Sequence, residues 1–89
     1  MRSKTTEQFR KCFSGLPQEI QESSRKAYLL WKDDPYHPSL KFKKVHTRLP
    51  CYSARISDTY RAVCLIDNDE YVWFWIGIHA DYDKLLKKL

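Results

Sequence analysis

The sequence predicts an α+β fold, in which an N-terminal helical hairpin packs on a mostly antiparallel four-stranded sheet and a short C-terminal helix follows. Apolar residues recur at three- and four-residue spacing over residues 9–31, which is typical of amphipathic helices. Between residues 51 and 83, short runs of β-branched and aromatic residues alternate with turn signals, which is typical of strands. A length of 89 residues with 43% apolar residues suits one globular domain spanning residues 1–89.

Two helices joined by a short link are predicted in the first third of the chain. Thr5 or Thr6 can cap the first helix, and Gly15 can end it. Pro17 suits the first turn of a second helix, which should run to about Lys32. The segment before the capping threonine is either a short edge strand or a frayed end. The apolar positions that support the two helices are Phe9, Cys12, Phe13 and Leu16 in the first and Ile20, Ala27, Leu30 and Trp31 in the second.

The segment between the second helix and the central strands is predicted to be a loop followed by an edge strand. Pro35 and Pro38 disfavour helix in residues 33–38. In residues 39–47 the alternation of apolar and polar residues switches face, which indicates a bulge or an edge strand. Lysines at positions 41, 43 and 44 would protect such an edge from unwanted pairing, and this structural role is the simplest explanation for them.

Residues 51–83 are predicted to form an antiparallel meander whose last strand ends on His79. A three-residue loop at positions 57–59 would place Arg55 directly opposite Arg61 on one face of the sheet. After the meander, leucines at helical spacing predict a short helix over residues 80–89. Strict alternation along the last strand would put five residues on one face, namely Tyr71, Trp73, Trp75, Gly77 and His79.

Composition and charge exclude several classes of function. The net charge is +5, but residues 51–89 carry five Lys/Arg against six Asp/Glu, so a polyanion-binding surface must draw cations from residues 1–50. Two glycines are too few for a Gly-rich phosphate loop, and the sequence has no GxSxG or HExxH motif. Three cysteines without CxxC spacing predict reduced thiols, and we expect no metal and no cofactor. The sequence has no apolar run of about 20 residues, so we expect a cytoplasmic protein.

The polar residues of the meander leave several roles open. Two facing guanidinium groups repel each other unless an anion lies between them. That anion is either a protein carboxylate, from Asp58 or Asp83, or a bound phosphate. His79 is either a general acid or base or simply a polar strand end. Tyr82 either contacts a substrate or packs its ring against the sheet.

Six segments of the chain follow one another in a characteristic order, namely LPQEIQ, WKDDP, HPSLKFKK, YSARI, YRAV and WIGIHADYD. In this order they resemble the RelE/ParE superfamily of toxins from bacterial type II toxin–antitoxin systems, and the resemblance covers nearly the whole chain. Its most specific parts are YRAV and the ending I-G-x-H-x-x-Y-D. The resemblance implies a helical hairpin on one face of the sheet, an active surface on the other face, and a cognate antitoxin as partner.

RelE-like members of that superfamily are metal-independent endoribonucleases that cut mRNA, either on the ribosome or free of it. The ribose 2′-hydroxyl attacks the adjacent phosphate and leaves a 2′,3′-cyclic phosphate. The resemblance implies that Arg61 binds the scissile phosphate with help from Arg55, that His79 is the general acid or base, and that Tyr82 positions the substrate. The RNA-binding residues that we expect in the preceding basic segment are Lys41, Lys43, Lys44, His46 and Arg48.

The resemblance leaves two alternative functions open. ParE-like members have the same fold but inhibit DNA gyrase and are not nucleases. A third alternative is a module that binds an antitoxin and has no activity of its own. The chain also departs from the pattern of ribosome-dependent members, because Ser53 stands where they usually carry lysine. Ile78 and Ala80 stand where those members usually carry a further basic residue near the end of the last strand.

Overall fold

A computed structural model describes residues 2–89, which form three α-helices and a five-stranded mixed sheet. In chain order the elements are β1 (Arg2–Thr5), α1 (Glu7–Ser14), α2 (Gln18–Asp33), β2 (Lys43–Lys44), β3 (Cys51–Arg55), β4 (Tyr60–Asp67), β5 (Glu70–Ile78) and α3 (His79–Lys88). The strands lie in the order β1-β5-β4-β3-β2. Within residues 2–89, no helix is long and apolar enough to span a membrane.

The helical hairpin confirms the sequence prediction almost residue for residue. The N-cap of α1 is Thr6, whose side chain accepts a hydrogen bond from the backbone N–H of Phe9 at 3.1 Å. Gly15 follows the last residue of α1, and α2 begins directly after Pro17. The side-chain amide of Gln21 donates to the carbonyl oxygen of Phe13 at 3.0 Å. This bond closes the link between the helices and satisfies a carbonyl at the end of α1.

The prediction of four strands is wrong, because residues 2–5 add a fifth strand. This strand, β1, lies at the edge of the sheet and pairs with β5 in parallel, while the remaining pairs are antiparallel. The Lys4 ammonium nitrogen Nζ forms an ion pair with Oε1 of Glu70, on the neighbouring strand, at 3.4 Å. Four largely polar residues carry too little alternation to distinguish a strand from a frayed end. Only their pairing with β5 identifies them as a strand. Met1, the first residue of that segment, lies outside the described residues.

The predicted edge strand over residues 39–47 is confirmed only at Lys43–Lys44, which form β2. A 3₁₀ turn spans Pro38–Leu40, and Lys41 then adopts a left-handed backbone conformation with φ 44°. This conformation turns the chain away from an extended path, so pairing starts two residues later. The short, lysine-rich edge matches the expected protection against further pairing.

A bulge in β5 makes the predicted face alternation wrong. In the register of β4 and β5, Val63 lies opposite Trp75 and Cys64 opposite Trp73, so Phe74 has no partner of its own. The extra residue reverses the alternation from that point onward. Trp73 therefore packs on the hairpin side of the sheet, whereas Trp75 packs on the opposite side.

The sheet separates two apolar clusters. On one side α2 inserts Trp31, which is 1% exposed and meets Tyr71 and Trp73 edge to face at centroid distances of 5.0 and 5.1 Å. On the other side α3 covers Cys51 and Val63 with Tyr82. The sheet thus presents one face to the hairpin and the other to the C-terminal helix.

An apolar groove of about 650 Å³ remains open between the hairpin and the sheet. Its floor is formed by the small side chains of Ala54 and Ala62, and Leu29 on its rim is 68% exposed. Arg10 and Arg25 also line it. An exposed apolar surface of this kind is typical of interaction sites.

Candidate active site

A small polar pocket of about 170 Å³ lies on the sheet face opposite the hairpin, beside the start of α3. Strands β2, β3 and β4 contribute to it, together with the turn before β2 and the first turns of α3. Because alternate residues of a strand share a face, Ser53 and Arg55 of β3 point to the same side as Arg61 of β4. The lining residues are Lys41, Lys43, Ser53, Arg55, Arg61, His79 and Tyr82.

The two arginines lie directly opposite each other, as the loop length predicts. The guanidinium of Arg55 forms an ion pair with the carboxylate of Asp58. Of the two carboxylates that the sequence offers as partners for the arginines, Asp58 therefore has this role, whereas Asp83 pairs with His79. The hydrogen bond from Arg55, followed by its positive charge, holds the pKa of Asp58 below its usual value.

Arg61 is fixed by its own strand and loop. Its Nη1 donates to the carbonyl oxygens of Ser57 at 2.6 Å and Tyr60 at 2.9 Å. These bonds turn one edge of the guanidinium toward the β3–β4 loop. Because a guanidinium has five N–H donors, others remain for an anion in the pocket.

His79 is the first residue of α3 rather than the last residue of β5. Its backbone N–H donates to the carbonyl oxygen of Thr59 at 2.7 Å, which ties the start of α3 to the β3–β4 loop. Its Nδ1 lies 3.3 Å from the Asp83 carboxylate, four residues later on the same helix. With Nδ1 engaged there, Nε2 is the ring nitrogen left to exchange a proton with a ligand.

Tyr82 is the buried anchor of α3. Its side chain is 6% exposed, and its hydroxyl donates to the Ser53 hydroxyl at 3.1 Å. Its ring also meets the His79 ring edge to face at 5.4 Å. Tyr82 therefore lines the pocket and also positions the helix that carries His79. Sequence reasoning did not include Ser53 in the site, although its place two residues before Arg55 puts both on one face.

The predicted RNA-binding residues separate into two groups. Lys41 and Lys43 line the pocket. Lys44, His46 and Arg48 are not among the lining residues. His46 has a structural contact, because its Nδ1 accepts hydrogen bonds from the backbone N–H groups of Arg48 and Leu49 at 3.1 and 3.0 Å.

The donor set of the pocket suits anion binding and proton transfer. Two arginines and two lysines offer positive charge, and one imidazole offers a ring nitrogen that can carry a proton. In the part of the chain that the structure describes, no group of three or more His, Cys, Asp or Glu residues is placed to hold a metal ion. The arrangement can hold a phosphate group beside a proton donor.

A family model described as a ParE-like toxin domain matches residues 18–84, which include every lining residue of the pocket. The chain belongs to this ParE-like toxin domain family. The resemblance to RelE/ParE superfamily toxins of toxin–antitoxin systems is thereby confirmed. No curated protein sequence is significantly similar to this one.

Solved structures share the fold of this ParE-like domain at low sequence identity. A chain of the RelB–RelE antitoxin–toxin complex from Methanococcus jannaschii is 13% identical and has a TM-score of 0.73 over 91% of this chain and 95% of that chain. YafQ from E. coli is 11% identical, with a TM-score of 0.74 over 92% and 98%. The RelBE2 toxin–antitoxin complex from Mycobacterium tuberculosis has a chain 21% identical, with a TM-score of 0.68 over 88% and 96%.

Proposed function

We propose that this ParE-like domain is a toxin that cleaves mRNA without a metal ion and is neutralised by a cognate antitoxin. The observation that carries the proposal is the pocket in which Arg55, Arg61 and His79 meet on the face opposite the hairpin. Phosphodiester cleavage by an internal hydroxyl needs positive charge around the phosphate and a proton for the leaving oxygen. The pocket offers both.

In the proposed reaction, the ribose 2′-oxygen bonds to phosphorus, and the bond between phosphorus and the 5′-oxygen of the next nucleotide breaks. The 2′-hydroxyl gives its proton to solvent, and the His79 imidazolium gives one from Nε2 to the 5′-oxygen. Arg61 and Arg55 stabilise the additional negative charge on the phosphate oxygens. One preorganised donor of this type contributes roughly 3–4 kcal/mol to transition-state stabilisation.

The remaining residues hold these groups in place or extend the contact to the RNA backbone. The Asp83 carboxylate lies 3.3 Å from His79 Nδ1, so Nε2 is the nitrogen that remains available to the substrate. Tyr82 fixes the first turns of α3 through its hydrogen bond to Ser53. Lys41 and Lys43 provide positive charge for a neighbouring phosphate, and binding should weaken steeply with salt because such contacts release counterions.

The double substitution Arg61→Ala with His79→Ala tests this proposal. Loss of one charge-stabilising donor and one proton donor should lower the rate of mRNA cleavage by at least about 1000-fold. The rate is measured on purified protein with and without ribosomes, and circular dichroism checks the fold. The matched control is Arg2→Ala with His37→Ala, which removes the same residue types at positions that do not line the pocket. Unchanged cleavage by the Arg61/His79 variant would contradict the assignment.

Inhibition of DNA gyrase is the second candidate, favoured by the match to the ParE-like family model. This function needs a binding surface and no chemistry. Supercoiling by gyrase is therefore measured with the same protein preparations. Gyrase inhibition that survives the Arg61/His79 substitutions, without mRNA cleavage by the native protein, would support this candidate. Absence of both effects would support an inactive antitoxin-binding module.

The apolar groove between the hairpin and the sheet is the proposed docking surface for the antitoxin. Chains of similar fold occur in antitoxin–toxin complexes, which supports an antitoxin partner here. Within residues 2–89, neither Arg10 nor Arg25 on the groove wall forms an ion pair with a carboxylate. The complementary partner is an amphipathic segment with an apolar face and acidic side chains beside it.

Leu29→Glu should weaken antitoxin binding about tenfold or more, because it places a negative charge on the apolar rim, next to the acidic partner. Lys26→Glu on the same helix is the control, since it changes the net charge more but lies outside the groove lining. Binding is measured by titration of the co-expressed, separated antitoxin. An equal or larger effect of Lys26→Glu would show that general charge, and not the groove, governs binding.

A further inference from the structure

We propose that Asp58 is an internal competitor that lowers the affinity of this pocket for phosphate ligands. Its carboxylate already occupies the guanidinium of Arg55, which would otherwise contact the ligand. The inference rests on the proposed RNA-cleaving function and identifies a residue that limits the affinity for its substrate.

Within residues 2–89, the Asp58 carboxylate has one side-chain partner, Arg55, and is otherwise exposed to solvent. It lies in the loop between β3 and β4, where its side chain is 95% exposed, while that of Arg55 is 27% exposed. Among the side-chain contacts of residues 2–89, its carboxylate engages Arg55 alone. The hydrogen bond from Arg55, followed by its charge, lowers the pKa of Asp58, so this ion pair favours the ionised carboxylate. An exposed carboxylate held by one contact can leave without disturbing the strands.

A carboxylate and a phosphate present similar oxygen pairs to a guanidinium, so both compete for the same donors. A single phosphate gains Arg55 only after it displaces Asp58, and the net gain is small because exposed ion pairs contribute little. An RNA strand, whose phosphates can also meet Lys41 and Lys43 in the pocket lining, must make the same displacement before it gains Arg55. Asp58 thereby lowers the affinity for inorganic phosphate and for an RNA strand by a similar factor.

Binding measurements on Asp58→Asn test this inference. Inorganic phosphate binding, followed by titration calorimetry, should become about two- to fivefold tighter, because the competitor loses its charge. Binding of a 2′-O-methyl RNA octamer, which cannot be cleaved, should tighten by a similar factor, because its phosphate displaces the same carboxylate. Asp69→Asn makes the same charge change in the turn between β4 and β5 and should alter neither affinity by more than about 1.5-fold.

The Arg55→Gln background separates competition from a general charge effect. There Asp58→Asn should leave phosphate affinity unchanged, because the guanidinium that both anions share is gone. Equal effects of Asp58→Asn and Asp69→Asn, or a gain that persists without Arg55, would overturn the inference. Tighter phosphate binding without any RNA binding would support the competition at Arg55 and contradict the proposed RNA-cleaving function instead.

Discussion

Replacing Trp31 with alanine should lower the free energy of unfolding by about 3–5 kcal/mol, the usual cost of deleting a buried tryptophan side chain. Trp31 is 1% exposed and is the residue through which α2 meets Tyr71 and Trp73 on the sheet. It also contacts Phe42 edge to face at 5.8 Å. Since domains of this size are stable by only about 5–15 kcal/mol, one substitution would remove much of the total.

Urea unfolding followed by circular dichroism measures this effect. Trp31→Phe keeps an aromatic ring, so its free energy of unfolding should fall by less than half as much as that of Trp31→Ala. This variant provides a measurement if Trp31→Ala does not fold. Leu29→Ala is the control on the same helix, because Leu29 is 68% exposed and should change stability by less than about 1 kcal/mol. A loss below about 1.5 kcal/mol for Trp31→Ala would mean that α2 does not depend on this contact.

The sequence predicts the helices well because their information is local. Thr6, Gly15 and Pro17 mark the helix ends through their own side chains or ring, and the structure has them in these places. The strand β1 depends on a partner more than 60 residues away in the chain, and four polar residues say little about it. The bulge at Phe74 cannot be predicted from the sequence either, because every residue around it is apolar and the run does not show where the alternation between the two faces reverses.

For the candidate site, the prediction succeeds where it depends on loop length and fails where it depends on the bulge. Arg55 faces Arg61 because a three-residue loop fixes the register of β3 and β4. Strict alternation would put Trp73 and His79 on one face. Instead, Trp73 lies in the core under the hairpin, and His79 reaches the pocket from the first turn of α3. Beyond the bulge, the predicted common face of Trp75 and Gly77 is kept, and His79 follows it as the first residue of α3.

The bulge also connects the fold to the pocket. By reversing the alternation it brings Trp75 to the face that carries the site, where its ring lies 6.4 Å from that of Tyr82. The Trp75 ring covers Gly77, where an added Cβ would lie 2.8 Å from a ring atom. Gly77 lies opposite Arg61, so the absence of a side chain there lets an aromatic ring support α3 beside the arginine.

Raising the pH above about 9 should destabilise the protein through Cys64. Burial, followed by the nearby Cys51 thiol, raises the pKa of Cys64 from 9.0 to about 12. The folded pKa is above the unfolded value, so the stabilisation is complete below pH 9 and is lost as the pH rises toward 12. In that window the unfolded chain has lost a proton that the folded chain keeps. The free energy of unfolding should therefore fall by about 1.4 kcal/mol per pH unit from this thiol.

Urea unfolding at pH 8 and pH 10.5 measures this loss, and Cys64→Ala isolates it. Burial also raises the pKa values of Cys51 and Tyr71, so part of the pH dependence should survive in the variant. The native protein should lose about 2 kcal/mol more than Cys64→Ala over this interval, because only the native chain carries the Cys64 thiol. Cys12→Ala, which leaves both buried thiols in place, should follow the native protein. Identical pH dependence in Cys64→Ala and the native protein would mean that the Cys64 thiol ionises as easily in the folded protein as in the unfolded chain. The packing between β4 and the hairpin would then have to open locally to admit water to the thiol.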